Sequence, residues 1–279
     1  MTGSTIDPTI PATRALPSYP EPQRVTQVRV MRAEWTKLRT QPSAYWALLT
    51  AVILVVGFGI VYSLLRVARP PHGGAMASFD PAAISLSGVQ LAQIAVGVLG
   101  VLLVTSEYAT GLIRTTFATV PRRLPVLWAK AAMVAAAITA VSLPAAFAAF
   151  ASGQSILSRQ HLSVPLSQPG VARAVIGSAL YLAVVGLLGL GLGALIRNAA
   201  GAIAALFGLL YGLPLAASFL PASMAADVTK YLPASAGQAV TTVQPDPTML
   251  QPWTGFGVLC AYAAVLIAVS AARMRRGDT

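Results

Sequence analysis

"TSEYATGLIRTTFATVPRRLPVLWAK", residues 105–130, places Glu107, Arg114, Arg122, Arg123 and Lys130 between two stretches almost free of charge. On one side, residues 86–105 hold no Asp, Glu, Lys or Arg; on the other, residues 127–150 hold Lys130 alone. A run of about 20 apolar residues is long enough to cross the ~30 Å hydrocarbon core as a helix. The quoted stretch therefore reads as a polar loop joining two membrane spans. Four further apolar segments of similar length, at 44–65, 174–195, 199–220 and 254–272, bring the expected spans to six. Of the 279 residues 56% are hydrophobic and 10% charged, where soluble domains carry about 25% charged residues. So little charge cannot cover a soluble surface. The expected fold is an all-α integral membrane protein with six transmembrane helices, multi-pass in the lipid bilayer, with Pro144 and Pro214 kinking the third and fifth spans.

The distribution of charge orients the spans. The net charge is +11, from 19 Lys and Arg against 8 Asp and Glu. On a soluble protein that excess would raise nucleic acid as a partner, but here the basic residues flank the spans, which is how topology is encoded; no nucleic acid is expected. With the N-terminus in the cytoplasm, 14 Lys and Arg fall inside and 5 (Arg66, Arg69, Arg159, Arg173 and Lys230) outside. The positive-inside rule thus predicts both termini cytoplasmic. Residues 1–23, with five prolines and no apolar run, read as a disordered cytoplasmic tail and lack the pattern of a signal peptide. Residues 24–279 form the six-span domain. Within it, residues 25–39 place Val28, Met31, Trp35 and Leu38 at helical spacing with Arg29, Arg32, Lys37 and Arg39 on other faces. Such a helix lies at the membrane interface or packs on a cytosolic partner. The loop at 221–253, expected outside, is mildly apolar and suits either short helices at the outer interface or a plain linker.

Candidate chemistry is sparse. The only formal charge within a span is Lys130, close enough to an end to snorkel. Ion-coupled carriers place ionisable groups at membrane depth, and these spans offer only mild polar ones: Gln90, Gln93, Thr139, Ser142 and Ser178. Gln90 and Gln93 share a helix face and either touch a substrate or hydrogen-bond a neighbouring helix. His72 and His161 stand alone in loops, no GxxxxGK[ST] phosphate loop occurs, and the single Cys260 has no partner for a disulfide or a metal site. Gly189 and Gly193 form a GxxxG, which lets a helix of this chain or of another copy approach closely.

"RAEWTKLRTQPSAYWAL", "SEYATGLIRTTFATVPRRLPVLWAK" and "PWTGFGVLCAYAAVLIAVSAARMRRGD" together resemble the permease subunit of type-2 ATP-binding cassette transporters, in their short actinobacterial form; the likeness covers most of residues 28–278. The resemblance implies a connecting helix at 25–39, with Glu34, Trp35, Lys37 and Arg39, ahead of the first span. It implies a coupling loop at 106–126 that docks on a separate ATPase subunit through Glu107, Tyr108, Gly111, Arg114 and Thr115; by charge alone its arginines would serve equally as topology determinants. It implies no catalysis and no cofactor on this chain, with ATP and Mg held by the partner. A second permease copy or a paralogue would complete the pathway in the cell (plasma) membrane, for export of an amphipathic or lipid-like compound or drug. Two other readings remain open: a membrane anchor or regulator of an ATPase that transports nothing, and an intramembrane enzyme.

Overall fold

The computed structural model describes residues 35–36, 41–69, 79–109, 123–244 and 248–276. The described residues are all helical in their regular structure, with no strand. The helices are α1 (Pro42–Ala68), α2 (Pro81–Ser85), α3 (Val89–Ala109), α4 (Arg123–Leu157), α5 (Val171–Ile196), α6 (Ala199–Phe207), α7 (Leu213–Ala217), α8 (Ala222–Thr229), α9 (Pro233–Gln238) and α10 (Pro252–Arg276). A π turn, Gly208–Gly212, joins α6 to α7, so six helical stretches are long and apolar enough to cross a membrane: α1, α3, α4, α5, α6–α7 and α10. The chain is a multi-pass membrane protein.

Local chemistry explains where the helices begin and end. Proline occupies the first turn of α1, α2 and α9, where its missing N–H would be unbonded anyway. Asp80 caps α2, its Oδ1 accepting from the Ala82 and Ala83 amides at 3.0 Å each. Arg197 closes α5 in the left-handed region (φ 60°) with its amide on the Gly193 carbonyl, and Asn198 at once caps α6 by accepting from Gly201 N at 2.9 Å. Two residues thus suffice to turn α5 into α6, as the short gap between the segments 174–195 and 199–220 requires. The π turn immediately precedes Pro214, whose ring crowds the preceding turn and cannot bond it; the wider turn absorbs that conflict. Helix α4 runs through Pro144 and on to Leu157, beyond the apolar limit at 150. Its last turns are polar, with Ser152 and Ser155 hydroxyls donating to carbonyls three or four residues back.

Helix α5 is the axis of the bundle and the most enclosed span. Helices α3, α4 and α10 surround it, and α1 lies behind α3 and α4. Small residues set the spacing of the α3–α5 pair, the most extensive contact in the fold. A Cβ added at Gly189 would stand 2.1 Å from the Gly97 carbonyl oxygen, and one at Gly100 would stand 2.0 Å from the Gly186 carbonyl oxygen. The GxxxG of α5 is therefore spent within the chain, since Gly193 meets Val101 of α3 in the same way. Outward faces are apolar: Ile53, Phe58 and Val61 of α1 and Val265 and Val269 of α10 are exposed. Along α1, exposed Trp46 lies near one end, and at the other Arg66 stacks over Tyr62 at 5.6 Å. The 16-residue rise between Trp46 and Tyr62 is about 24 Å, which suits two interfacial aromatic anchors.

Two segments dip back into the bundle from the end of the molecule that carries Asp80. The turn between α2 and α3 descends to the middle of α1, where Gly88 lies against the Leu54 and Val55 carbonyls. Gln154 of α4 holds α2 there: its Nε2 donates to Pro81 O and Ser85 Oγ, each at 3.0 Å, and its Oε1 accepts from Val164 N at 2.8 Å. From the same end, α9 wedges between α5 and α10, with Gly237 against Tyr181 and Leu259. The loop at 221–253 thus contains two short helices, α8 and α9, of which α9 is buried. The two dipping segments are tied together where Val243 N donates to Asp80 Oδ2 at 3.4 Å and Gln244 Nε2 donates to Phe79 O at 3.3 Å.

Candidate functional site

The largest polar constellation inside the apolar bundle forms where these segments meet α3, α5 and the π turn. Gln93 is buried and makes its centre: the Tyr181 hydroxyl donates to its Oε1, and its Nε2 donates to the Tyr211 hydroxyl at 2.8 Å and to the Gln90 carbonyl at 2.9 Å. One helical turn away, Gln90 Oε1 accepts from Gln238 Nε2 of α9 at 3.0 Å, while the Tyr211 hydroxyl lies 3.3 Å from the Gln90 carbonyl. Tyr211 owes its reach to the π turn, which carries it across to α3; such turns recur at functional positions. The network sits deep. Tyr181 lies ten residues into the 26-residue α5, about 15 Å from its start and about 22 Å from its end, well inside the apolar run.

Not all of this network is enclosed. Gln93 and Tyr181 are buried, but Gln90 is exposed and Tyr211 retains 39% of its surface. Since Gln90 Oε1 accepts from two side-chain amides, Gln93 and Gln238, its Nε2 is the outward group, and it has no acceptor among the described residues. Chemically this is a neutral patch of donors and acceptors, able to bind or pass hydrogen-bonding groups at a depth where lipid offers none.

At the opposite end, Glu107 and Lys130 flank the loop that opened the sequence reading. Glu107 lies in the last turn of α3 and Lys130 in the third turn of α4, and Lys130 Nζ meets Glu107 Oε1 at 3.0 Å with about a tenth of each side chain exposed. Lys130 does not snorkel; it is buried against a counter-charge, its long side chain bridging to the end of α3 from a helix that, like α3, packs on α1 and α5. Next to this pair, Arg197 lies over the Tyr108 ring at 5.3 Å. Beyond it, Arg273 of α10 donates to the Leu195 carbonyl at 3.3 Å. The base of the loop is thus clasped to the α5–α6 hairpin, which α10 in turn holds through Arg273.

The remaining candidates fall apart spatially. Gly111, Arg114 and Thr115 lie outside the described residues, as do the tail 1–23 and Glu34, Lys37 and Arg39. Trp35 is described, helical and exposed. Glu107 and Tyr108 belong to α3 and face the bundle, not a separate surface helix. Ser178 is buried and its hydroxyl returns to the Ala174 carbonyl at 2.7 Å; Ser142 is buried on α4 and Thr139 half-buried, and neither joins the glutamine network. Three of its members, Tyr181, Tyr211 and Gln238, were missed in the sequence. The tyrosines pass as apolar in a span, and Gln238 sits in what reads as a loop. Their one signal was a polar tip inside or beside an otherwise apolar run. Among the described residues no three His, Cys, Asp or Glu side chains come together as a metal site would need. No protein-family model and no curated protein matches the chain, so its function has to be read from its own residues.

Proposed function

We propose that this chain is the transmembrane permease subunit of an ATP-binding cassette transporter of the plasma membrane, forming half of a translocation pathway. The observation that carries the reading is the exposed part of the glutamine–tyrosine network inside the apolar spans, a position where hydrogen-bonding groups are costly without a polar visitor or neighbour. Apolar walls around a few polar groups suit an amphipathic or lipid-like compound or drug, and the reading takes export as its direction. No catalysis is assigned to the chain; ATP and Mg belong to a separate ATPase subunit, and a second permease subunit completes the pathway. The loop at 106–126 carries the coupling. Its ends being clasped by Glu107–Lys130 and Tyr108–Arg197 supports that role, since a push on the loop would reach three neighbouring helices without slack.

The test is a gentle-detergent purification of the tagged chain from its native membranes, with ATP hydrolysis measured in the eluate. Wild type is expected to bring down ATPase activity and Arg114→Glu to lose it, while Thr139→Ala, remote from the loop, keeps it. An eluate without ATPase activity, or an Arg114→Glu chain that retains it in full, overturns the proposal.

A further inference from the structure

We infer that the exposed edge of the glutamine–tyrosine network selects an uncharged, hydroxyl-bearing headgroup on an apolar chain and turns away cationic and anionic amphiphiles. The inference rests on the proposed function only in taking this edge as part of the substrate's path. Among the described residues, the elements that form the network bring no charge to it. The nearest formal charge on α3 is Glu107, about 21 Å along the helix from Gln93 and paired with Lys130. On α5 it is Arg173, about 12 Å from Tyr181, with its guanidinium on the Thr242 carbonyl at 3.0 Å. Neither α6–α7 nor α9 contains an Asp, Glu, Lys or Arg. Asp80, ahead of α2, is taken up by the Ala82, Ala83 and Val243 amides. An ion brought here leaves water without meeting a counter-charge, whereas a hydroxyl needs only hydrogen bonds.

The groups on offer fit a hydroxyl atom by atom. Gln90 Oε1 already accepts from two amides, so its Nε2 is the outward donor, and a headgroup oxygen can accept from it. The Tyr211 hydroxyl accepts from Gln93 Nε2 and keeps a second lone pair for a headgroup O–H. An ammonium would bring donors to an outward donor, and a quaternary ammonium nothing that either group can bond. A sulfate or phosphate would find a neutral N–H and no cation. Beside these groups the exposed rings of Phe207 and Tyr211 stack with centroids 5.9 Å apart, an apolar platform for the C–H face of the headgroup or the start of its chain.

The test reads occupancy of the site as protection of a neighbouring thiol. In a Cys260→Ser background, Gly208→Cys places a thiol one turn from Tyr211, with no atom of its own chain within 4 Å of its Cβ. Val265→Cys places one on the lipid-facing side of α10. Each is reconstituted in lipid vesicles and alkylated with N-ethylmaleimide in the presence of decyl glucoside, decyltrimethylammonium or decyl sulfate, matched in chain length and in measured mole fraction in the bilayer. Decyl glucoside is expected to slow the reaction of Gly208→Cys at least about fivefold and the two charged probes less than about twofold, while Val265→Cys responds to none. Adding Gln90→Leu is expected to remove most of the protection. Adding Gln90→Glu is expected to transfer it to decyltrimethylammonium, a switch that a merely structural glutamine would not produce. The inference is overturned if Gly208→Cys never reacts, if the three probes protect alike, or if a charged probe protects best with Gln90 in place. It is equally overturned if Val265→Cys is slowed as much, or if Gln90→Glu keeps the preference for the glucoside. Selective protection in a chain that brings down no ATPase activity would sink the proposed function and leave this site standing. ATPase activity with indiscriminate protection would do the reverse.

Discussion

Removing the positive partner of the Glu107–Lys130 pair should be among the most damaging single changes in the protein. At 3.0 Å and an effective dielectric constant of about 20, the attraction is about 5.5 kcal/mol. Much of that offsets the cost of taking both charges out of water, so the pair itself adds little net stability. Breaking it is different: Lys130→Met leaves a short-stemmed, buried carboxylate at the end of α3 without its counter-charge, and such a loss typically costs about 3–5 kcal/mol. Glu107→Gln leaves the lysine, whose four-carbon stem can carry its charge to the membrane surface; about 1–3 kcal/mol is expected. The double variant Glu107→Gln, Lys130→Met buries no charge and should be more stable than Lys130→Met alone. The coupling energy of the cycle should therefore be about 2 kcal/mol or more. The measurement is equilibrium unfolding in mixed micelles with a rising fraction of SDS, followed by fluorescence of the four tryptophans. The reasoning fails if Lys130→Met unfolds within about 0.5 kcal/mol of wild type, or if the two single effects simply add.

The same assay checks the glycine spacing: Gly189→Ala should destabilise by about 1–3 kcal/mol, because its Cβ would press on the Gly97 carbonyl. Gly257→Ala, facing open space, should be neutral or slightly stabilising. Gln154→Leu removes three hydrogen bonds that pin α2 and the 158–170 loop, worth about 2–3 kcal/mol together. It should also speed hydrogen exchange at the Val164 amide, and unchanged exchange there would contradict the assignment. For orientation, a membrane-impermeant thiol reagent applied to intact cells in the Cys260→Ser background should label Ser163→Cys and spare Ala200→Cys. The opposite pattern would invert the assigned topology.

The amount of the fold that could be read in advance follows from the solvent. In a bilayer every backbone polar group must be bonded within its own segment, so an apolar run of sufficient length can only be a helix. For that reason the six spans lie within a few residues of the apolar segments, except at the polar end of α4, where serines bonded to their own helix continue it past Phe150. Long-range pairing has no such local signature. Nothing in the order of residues says that Lys130 meets Glu107 and not water, because that depends on where packing on α1 and α5 places the ends of α3 and α4.

By itself, the sequence determined that this chain spans a membrane six times as helices, where each span starts, and that α5 and α6 form a tight hairpin, all of which follow from hydropathy and capping within one segment. Only the tertiary structure decided that the glycines of α5 are used against α3. It likewise decided that α2 and α9 dip back into the bundle, and that Gln90 and Gln93 combine with Tyr181, Tyr211 and Gln238, residues up to 148 positions apart. The physical reason is that lipid is as apolar as the spans themselves. Hydropathy sorts residues into or out of the membrane, whereas helix neighbours are chosen by close packing and hydrogen bonds, which exist only once the helices are in place.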